Sequence, residues 1–196
     1  MTKDISYQAL AMLAIYVMAV KCNINMDYFQ QETERLHFRK LTENDIFSWA
    51  EFFVNNDRLQ FFNFDLSKSK ETLAEEWIQL QLNRYKNGQY GHLAAELKTD
   101  GTLIGLSGIL PRNLEGQQEY EVAYSLKPAY WGKGYGTEMA TCIKNFGFKN
   151  LDTKRLISMI SIGNKASIHV AQKNGMSLLF NTQYQGEEVH VYGVTH

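Results

Sequence analysis

Three glycines at alternate positions, Gly132, Gly134 and Gly136, sit between an alternating apolar segment and a long apolar-periodic one. Glycine lets a backbone approach an anion closely or take positive φ, and a helix opening near Thr137 would aim unpaired N–H groups and its dipole at the same point. The chemistry suggested is the binding of a phosphorylated cofactor. A Walker loop is disfavoured, because Lys133 is followed by Gly134 rather than by Ser or Thr. A dinucleotide fingerprint is disfavoured too. Thr137, Glu138 and Met139 follow the last glycines, and the next strand-like run, Arg155 to Ser161, lacks the required acidic residue. A tight turn closing a strand–helix unit is the alternative reading of the glycines alone.

A second segment, Asn164-Lys165-Ala166-Ser167 running to Lys173-Asn174-Gly175-Met176, follows the next strand at short range. With Trp131-Gly132-Lys133-Gly134-Tyr135-Gly136-Thr137-Glu138 it makes the chain resemble the GCN5-related N-acetyltransferases, and within them the RimJ/RimL branch of ribosomal-protein N-terminal acetyltransferases. The entry Thr33-Glu34-Arg35-Leu36-His37-Phe38-Arg39-Lys40-Leu41 and the tripeptide Leu103-Ile104-Gly105 fit that branch as well. The resemblance spans residues 33 to 194.

It implies acetyl-CoA as cofactor and a set of contacts for it. The N–H groups from Gly132 through Thr137, including Lys133, Gly134, Tyr135 and Gly136, would take the pyrophosphate, beside Trp131. Val122, Ala123, Tyr124 and Leu126 would offer a strand edge to the pantetheine arm, where two neighbouring strands splay apart. A backbone N–H near Ala123 or Tyr124 would stabilise the oxyanion. Asn164 and Ser167 occupy the polar positions that meet the pantetheine arm. Many relatives carry an acid tyrosine where this chain has Ala171, as the RimJ/RimL branch also commonly lacks it, so Ser167 is the candidate acid, with water or the substrate as alternatives. Lys133, Lys165 and Lys173 either add charge near the phosphates or are solvated surface lysines.

For the base, strand alternation puts Glu119, Glu121, Ala123 and Ser125 on one face. Glu121 is preferred by resemblance; an edge-strand charge in water is the competing reading for both glutamates. Tyr120 and Tyr124 flank it and would desolvate its carboxylate. Gln183, Glu187 and Glu188 are candidates to orient an amine. The expected reaction is direct acetyl transfer to a primary amine. A protein α-amino terminus is the acceptor implied by resemblance. A polyamine or aminoglycoside-like amine is the rival, and a non-catalytic acyl-CoA-binding module the alternative from another class.

The elements that must position these groups read as one α/β (α+β) domain. Composition agrees, with 196 residues, 44% hydrophobic and 21% charged. Twenty basic against 21 acidic residues give a net charge of −1, which offers nothing to nucleic acid or an anionic membrane. Cys22 and Cys142 match no metal spacing, the five histidines are scattered, and no metal site is expected. Strands are expected at Leu36–Lys40, Gln89–Leu97, Leu103–Leu110 (closed by Pro111), Glu119–Leu126, Arg155–Ser161, Leu178–Tyr184 and Val189–Val194. The first helix starts at Thr42 as N-cap and ends near Asn55–Asn56; a second covers Lys70–Asn87 and stops at Gly88; a short one runs from Lys165 to Asn174. The sum is a central mixed, mostly antiparallel twisted sheet of six to seven strands flanked by about four helices. Between the first two helices, Phe52, Phe53, Phe61, Phe62 and Phe64 either pack the core or line a substrate pocket.

Residues 1 to 25 read as an apolar N-terminal extension to a domain at 26–196, with sixteen uncharged residues from Ile5 to Val20. That run is short for a membrane span. Val17-Met18-Ala19 resembles a signal-peptidase site, but Asp4 cancels Lys3 in the n-region, and a user of acyl-CoA is expected in the cytoplasm. An all-round apolar helix here would need burial against the domain or a second copy, which makes a homodimer one outcome.

Overall fold

The computed structural model describes residues 26–114 and 116–196. The expectations for residues 1–25 lie outside the described residues.

Among the described residues, seven strands form one sheet in the order β1-β2-β3-β4-β5-β7-β6: β1 Leu36–Arg39, β2 His92–Leu97, β3 Leu103–Leu114, β4 Gln117–Leu126, β5 Arg155–Ser161, β6 Ser177–Tyr184 and β7 Glu187–Thr195. All neighbours are antiparallel except β4 and β5. Four α-helices among the described residues accompany it: α1 Asp45–Trp49, α2 Lys70–Lys86, α3 Tyr135–Asn150 and α4 Lys165–Lys173. The mixed, mostly antiparallel α+β sheet is the one expected.

Asp100-Gly101, between β2 and β3, is the dipeptide of a tight hairpin turn, and the chain makes that turn. Gly101 takes φ +72°, and Asp100 accepts from the Thr102 N–H at 3.0 Å. Pro111, in contrast, does not close β3, which runs on to Leu114. Beyond Gly108 the strand has no β2 partner, so one flank is open, and a proline without an N–H is tolerated there while Pro111 pairs in register with Tyr120. The strand after the second helix begins at His92, later than Gln89.

Thr42 is not the N-cap of α1. The helix starts at Asp45, whose carboxylate accepts from the Thr42 N–H at 2.7 Å, and it gives way to a 3₁₀ turn at Ala50–Phe53 that ends before Asn55. Helix α2 begins as written in the sequence, with Ser69 accepting from the Thr72 N–H at 3.1 Å and its last turn closing before Gly88 at φ +67°.

Helix α3 buries Met139, Ala140, Ile143, Phe146 and Gly147, the spacing of one helical face. A methyl group on Gly147 would meet Leu156 Cδ1 at 2.8 Å, so this glycine lets α3 lie close on β5. One core cluster includes these residues with Leu36, Phe38, Ile104, Ile109, Val122 and Leu156. A second, on the other side, joins Trp49, Phe52, Ile78, Ala94 and Leu106.

Candidate active site

Strand β4 decides the geometry. Its ladder with β3 is unbroken from Gly105↔Leu126 to Leu114↔Gln117, without a bulge. Its pairing with β5 is a single parallel bridge, Glu121↔Ile157. Beyond Glu121 the two strands part, with Ser158 Oγ donating to the Val122 carbonyl at 2.8 Å at the fork. Lys127 N–H goes to the Ile104 carbonyl and the Ala123 carbonyl accepts from Ser107 Oγ, both on the β3 side. Alternation therefore turns the peptide groups of Val122, Tyr124 and Leu126 toward the gap. The Leu126 carbonyl is occupied by Trp131 Nε1 at 2.8 Å. The Tyr124 peptide group and the Leu126 N–H remain. Of the two residues expected near the oxyanion, Tyr124 faces the gap and Ala123 faces β3.

Past the gap the chain turns through Pro128–Tyr130 into the glycine loop. Gly132 and Gly134 have φ of +74° and +84°, and Gly134 is the N-cap of α3 with no side chain closing the helix end. The helix opens at Tyr135, two residues before Thr137. Gly136 lies inside it, where an added methyl would meet Val170 Cγ2 at an ordinary 3.6 Å. Arg35 braces the loop. Its Nη1 donates to the Lys133 carbonyl at 3.0 Å, its guanidinium lies 4.2 Å from the Tyr135 ring centre, and it pairs with Glu138 at 2.6 Å. Burial raises the Glu138 pKa, but the bonds from Thr33 and Arg35 outweigh it and hold that carboxyl below its ordinary range.

Two cavities meet at the fork. The first, about 400 Å³, is lined by Leu126, Trp131, Gly132, Gly134, Tyr135, Gly136 and Thr137 on one wall and by Asn164, Ser167, His169 and Lys173 on the other. The second, about 600 Å³, contains Glu121, Val122, Ala123, Phe61, Phe62, Phe64, Trp77 and Glu187. Phe62, Tyr124, Ser125, Asn164 and Ser167 belong to both. A larger hollow of about 1120 Å³ between residues 27–35 and the outer side of α3 reaches none of the fork residues.

The first cavity fits acetyl-CoA by the chemistry of its donors: an uncapped helix start, the free edge of β4, Lys173, and Arg58, whose guanidinium stacks 3.6 Å from the Trp131 ring centre. Asn164 caps α4, accepting from the Ser167 N–H at 3.2 Å. The Ser167 carbonyl accepts from the Tyr124 hydroxyl at 3.0 Å. Burial drives the Tyr124 phenol well above its ordinary pKa, the bond to Ser167 opposing it, so the phenol stays protonated. Of the three lysines, Lys173 lines this cavity, Lys133 folds back to the Ala129 carbonyl at 3.0 Å, and Lys165 lines neither. Ala171, where many relatives have tyrosine, is buried in the core and lines neither cavity.

Both strand glutamates depart from the edge-strand reading. β4 is an inner strand, and Glu119 and Glu121 are buried. Glu119 pairs with Arg155. Glu121 is held by Arg112, diagonal to it across the β3–β4 ladder, at 2.6 Å from both Nε and Nη2, and its other oxygen accepts from the Met159 N–H at 3.3 Å. Arg112 also donates to the Tyr184 hydroxyl at 2.7 Å. A guanidinium, more than the neighbouring tyrosine rings, thus sets the surroundings of Glu121. Of the expected aromatics, Phe52 is buried in the core and borders the first cavity, Phe53 packs against that core, and Phe61, Phe62 and Phe64 line the second cavity. Gln183 and Glu188 line neither cavity. No group of potential metal ligands exists among the described residues.

Arg112, Arg84, His92 and Tyr184 in the second cavity, and Arg58 and His169 in the first, were not singled out by the sequence. Only the register of β3 against β4 brings Arg112 to Glu121, and no local pattern announces it.

Residues 35–177 match the family model described as acetyltransferase (GNAT) domain, and the chain belongs to that family. It is an acetyl-CoA-dependent N-acetyltransferase. It is 28% identical over 160 residues to the protein YkkB of Bacillus subtilis (strain 168), covering 82% of this chain and 92% of that one. An acetyltransferase of Agrobacterium tumefaciens str. C58 superposes with TM-score 0.69 at 25% identity, over 84% of this chain and 93% of that one. A ribosomal-protein-S5-alanine acetyltransferase of Vibrio fischeri shares the fold, with TM-score 0.65 at 18% identity, over 84% and 94% of the respective chains.

Proposed function

We propose that this enzyme acetylates the α-amino terminus of a protein, in the manner of the RimJ/RimL branch, with ribosomal proteins as the first class to test. The observation that carries the reading is the fork itself: a buried carboxylate, Glu121, where β4 leaves β5, at the junction of a cofactor-sized cavity and an aromatic-walled one that opens at Glu187. The name of the Vibrio fischeri fold neighbour agrees with the acceptor class.

Acetyl-CoA supplies an activated thioester. The N–H groups at the start of α3, aided by Arg58 and Lys173, take its phosphates, and the free edge of β4 takes its pantetheine arm. The Tyr124 N–H faces the gap where an oxyanion would be stabilised. Glu121 accepts the proton of the attacking amine, directly or through one water. An α-amino group, with a reference pKa of about 7.7–8.0, arrives partly neutral and needs little help; a polyamine amine, at about 10, needs much more. Ser167, which lines both cavities, returns a proton to the departing thiolate. The site works in the cytoplasm, where acetyl-CoA is made, and a homodimer is compatible with an apolar segment at residues 1–25.

Free-thiol release from acetyl-CoA tests this against ribosomal-protein N-terminal peptides, spermidine, aminoglycosides and free amino acids. Turnover on peptides is the expected result. Turnover only on a small amine overturns the acceptor assignment and moves the enzyme to small-molecule acetylation.

A further inference from the structure

The second cavity holds one more cation than acetyl transfer uses. Arg84, on α2, lines it beside Arg112, yet its Nε is buried without a hydrogen-bond partner, and no described carboxylate pairs with it. Arg112 is committed to Glu121 and Tyr184. The other acids of the lining do not reach Arg84's side: Glu76 is exposed and paired with Lys68 at 2.6 Å, and Glu187 is exposed at the mouth. His92, in the same wall, adds no negative charge. Its burial and the two guanidinium groups push its pKa down to about 3, so it stays neutral.

A buried guanidinium N–H without an acceptor is costly, and the planar fork of arginine matches a carboxylate in particular. We propose that the acceptor carries a carboxylate near its primary amine, and that Arg84, with Arg112 beside it, holds this carboxylate while the amine reaches Glu121. The proposal rests on the assignment of this cavity to the acceptor amine. It favours acceptors opposite in charge to a polyamine, whose second ammonium would face two guanidinium groups. The carboxylate has two sources with the same chemistry: the main-chain carboxylate of a free amino acid, or an acidic side chain at the start of a peptide.

The test is calorimetric binding of product-like pairs to the CoA-loaded enzyme. One pair is N-acetylalanine and N-acetylalaninamide, which probes a main-chain carboxylate. The other is N-acetylaspartic acid α-amide and N-acetylasparaginamide, which probes a side-chain one. The carboxylate member of one pair should bind about tenfold or more tighter, and the pair identifies the source. In Arg84→Gln that ratio should fall to within about twofold with CoA affinity retained, and Arg84→Lys should recover part of it. Equal or undetectable binding of both members in both pairs overturns the proposal, as does a ratio unchanged in Arg84→Gln. Binding is read without turnover, so loss of the peptide-acceptor assignment in the thiol-release assay is a separate result.

Discussion

Removing Arg112 should cost far more than a surface ion pair. In Arg112→Met the aliphatic stem is roughly kept, but the Glu121 carboxylate, whose side chain is 8% exposed, loses both guanidinium contacts at 2.6 Å and retains only the Met159 N–H at 3.3 Å. Stranding a buried charge in this way costs about 3–5 kcal/mol. The bond to Tyr184 adds little, because that hydroxyl lies on a partly exposed residue and water can replace the guanidinium. At about 2–4 °C per kcal/mol for a chain of this size, the Tm should drop by roughly 6–20 °C. The double variant Arg112→Met/Glu121→Leu should regain most of that loss, since apolar residues of similar volume replace a buried pair at little net cost. Urea unfolding of the wild type, both single variants and the double variant closes the cycle. A loss below about 1 kcal/mol in Arg112→Met, with no recovery in the double variant, would falsify the picture of Glu121 as a carboxylate sealed against one guanidinium.

Other perturbations separate the parts of the site. Gly134→Val puts a β-branched residue at φ +84° where the loop meets α3, so CoA affinity should fall at least about tenfold while the amine cavity is untouched; unchanged affinity in a CoA titration sinks the loop assignment. His92 is neutral when folded down to about pH 3, whereas the unfolded chain protonates it near 6.5. Its contribution is therefore complete above pH 6.5 and lost toward pH 3, at up to about 1.4 kcal/mol per pH unit. His92→Gln should flatten the stability slope between pH 6.5 and 4.5, and an identical slope in the variant refutes the burial of a neutral imidazole. Gly108→Ala would place its methyl 2.6 Å from the Tyr28 hydroxyl and against the Gly91 carbonyl, so the midpoint of urea unfolding should fall by an amount equivalent to about 2–4 kcal/mol.

The elements with a strong local signal were legible in the sequence. Helix α2 starts at the expected Lys70 and stops before the expected Gly88, Asp100-Gly101 makes its hairpin, and Arg155 to Ser161 is a strand to the residue. Where a tertiary neighbour decides, local signals fail. Pro111 stays in β3 because β2 has already ended, and Thr42 yields to Asp45, whose carboxylate is held by Arg39 at 2.7 Å. The glycine loop was readable as an anion cradle, with Gly132 and Gly134 at positive φ and Gly136 in the first turn of α3 on the same cavity wall. The groups around Glu121 were hidden because they converge from β3, α2 and β6, with Arg112 and Tyr184 alone 72 residues apart in sequence.

The single bridge between β4 and β5 also bears on how the molecule holds together. On one side lie β1 to β4, on the other β5 to β7, and the ladder that makes a sheet cooperative is nearly interrupted between them. Helix α3 spans the interruption, packing on β3, β4 and β5, and acts as a strap where backbone pairing is missing. A cofactor seated in the gap would contact both halves and add the cross-links the sheet lacks. The enzyme should accordingly soften first along this seam, with the amides of Tyr124 and Leu126 exchanging far faster than their neighbours on β3, and saturating CoA should slow exchange there. The cleft that admits the thioester is thus also the weakest line in the sheet, and occupancy would govern the protein's lifetime as well as its turnover.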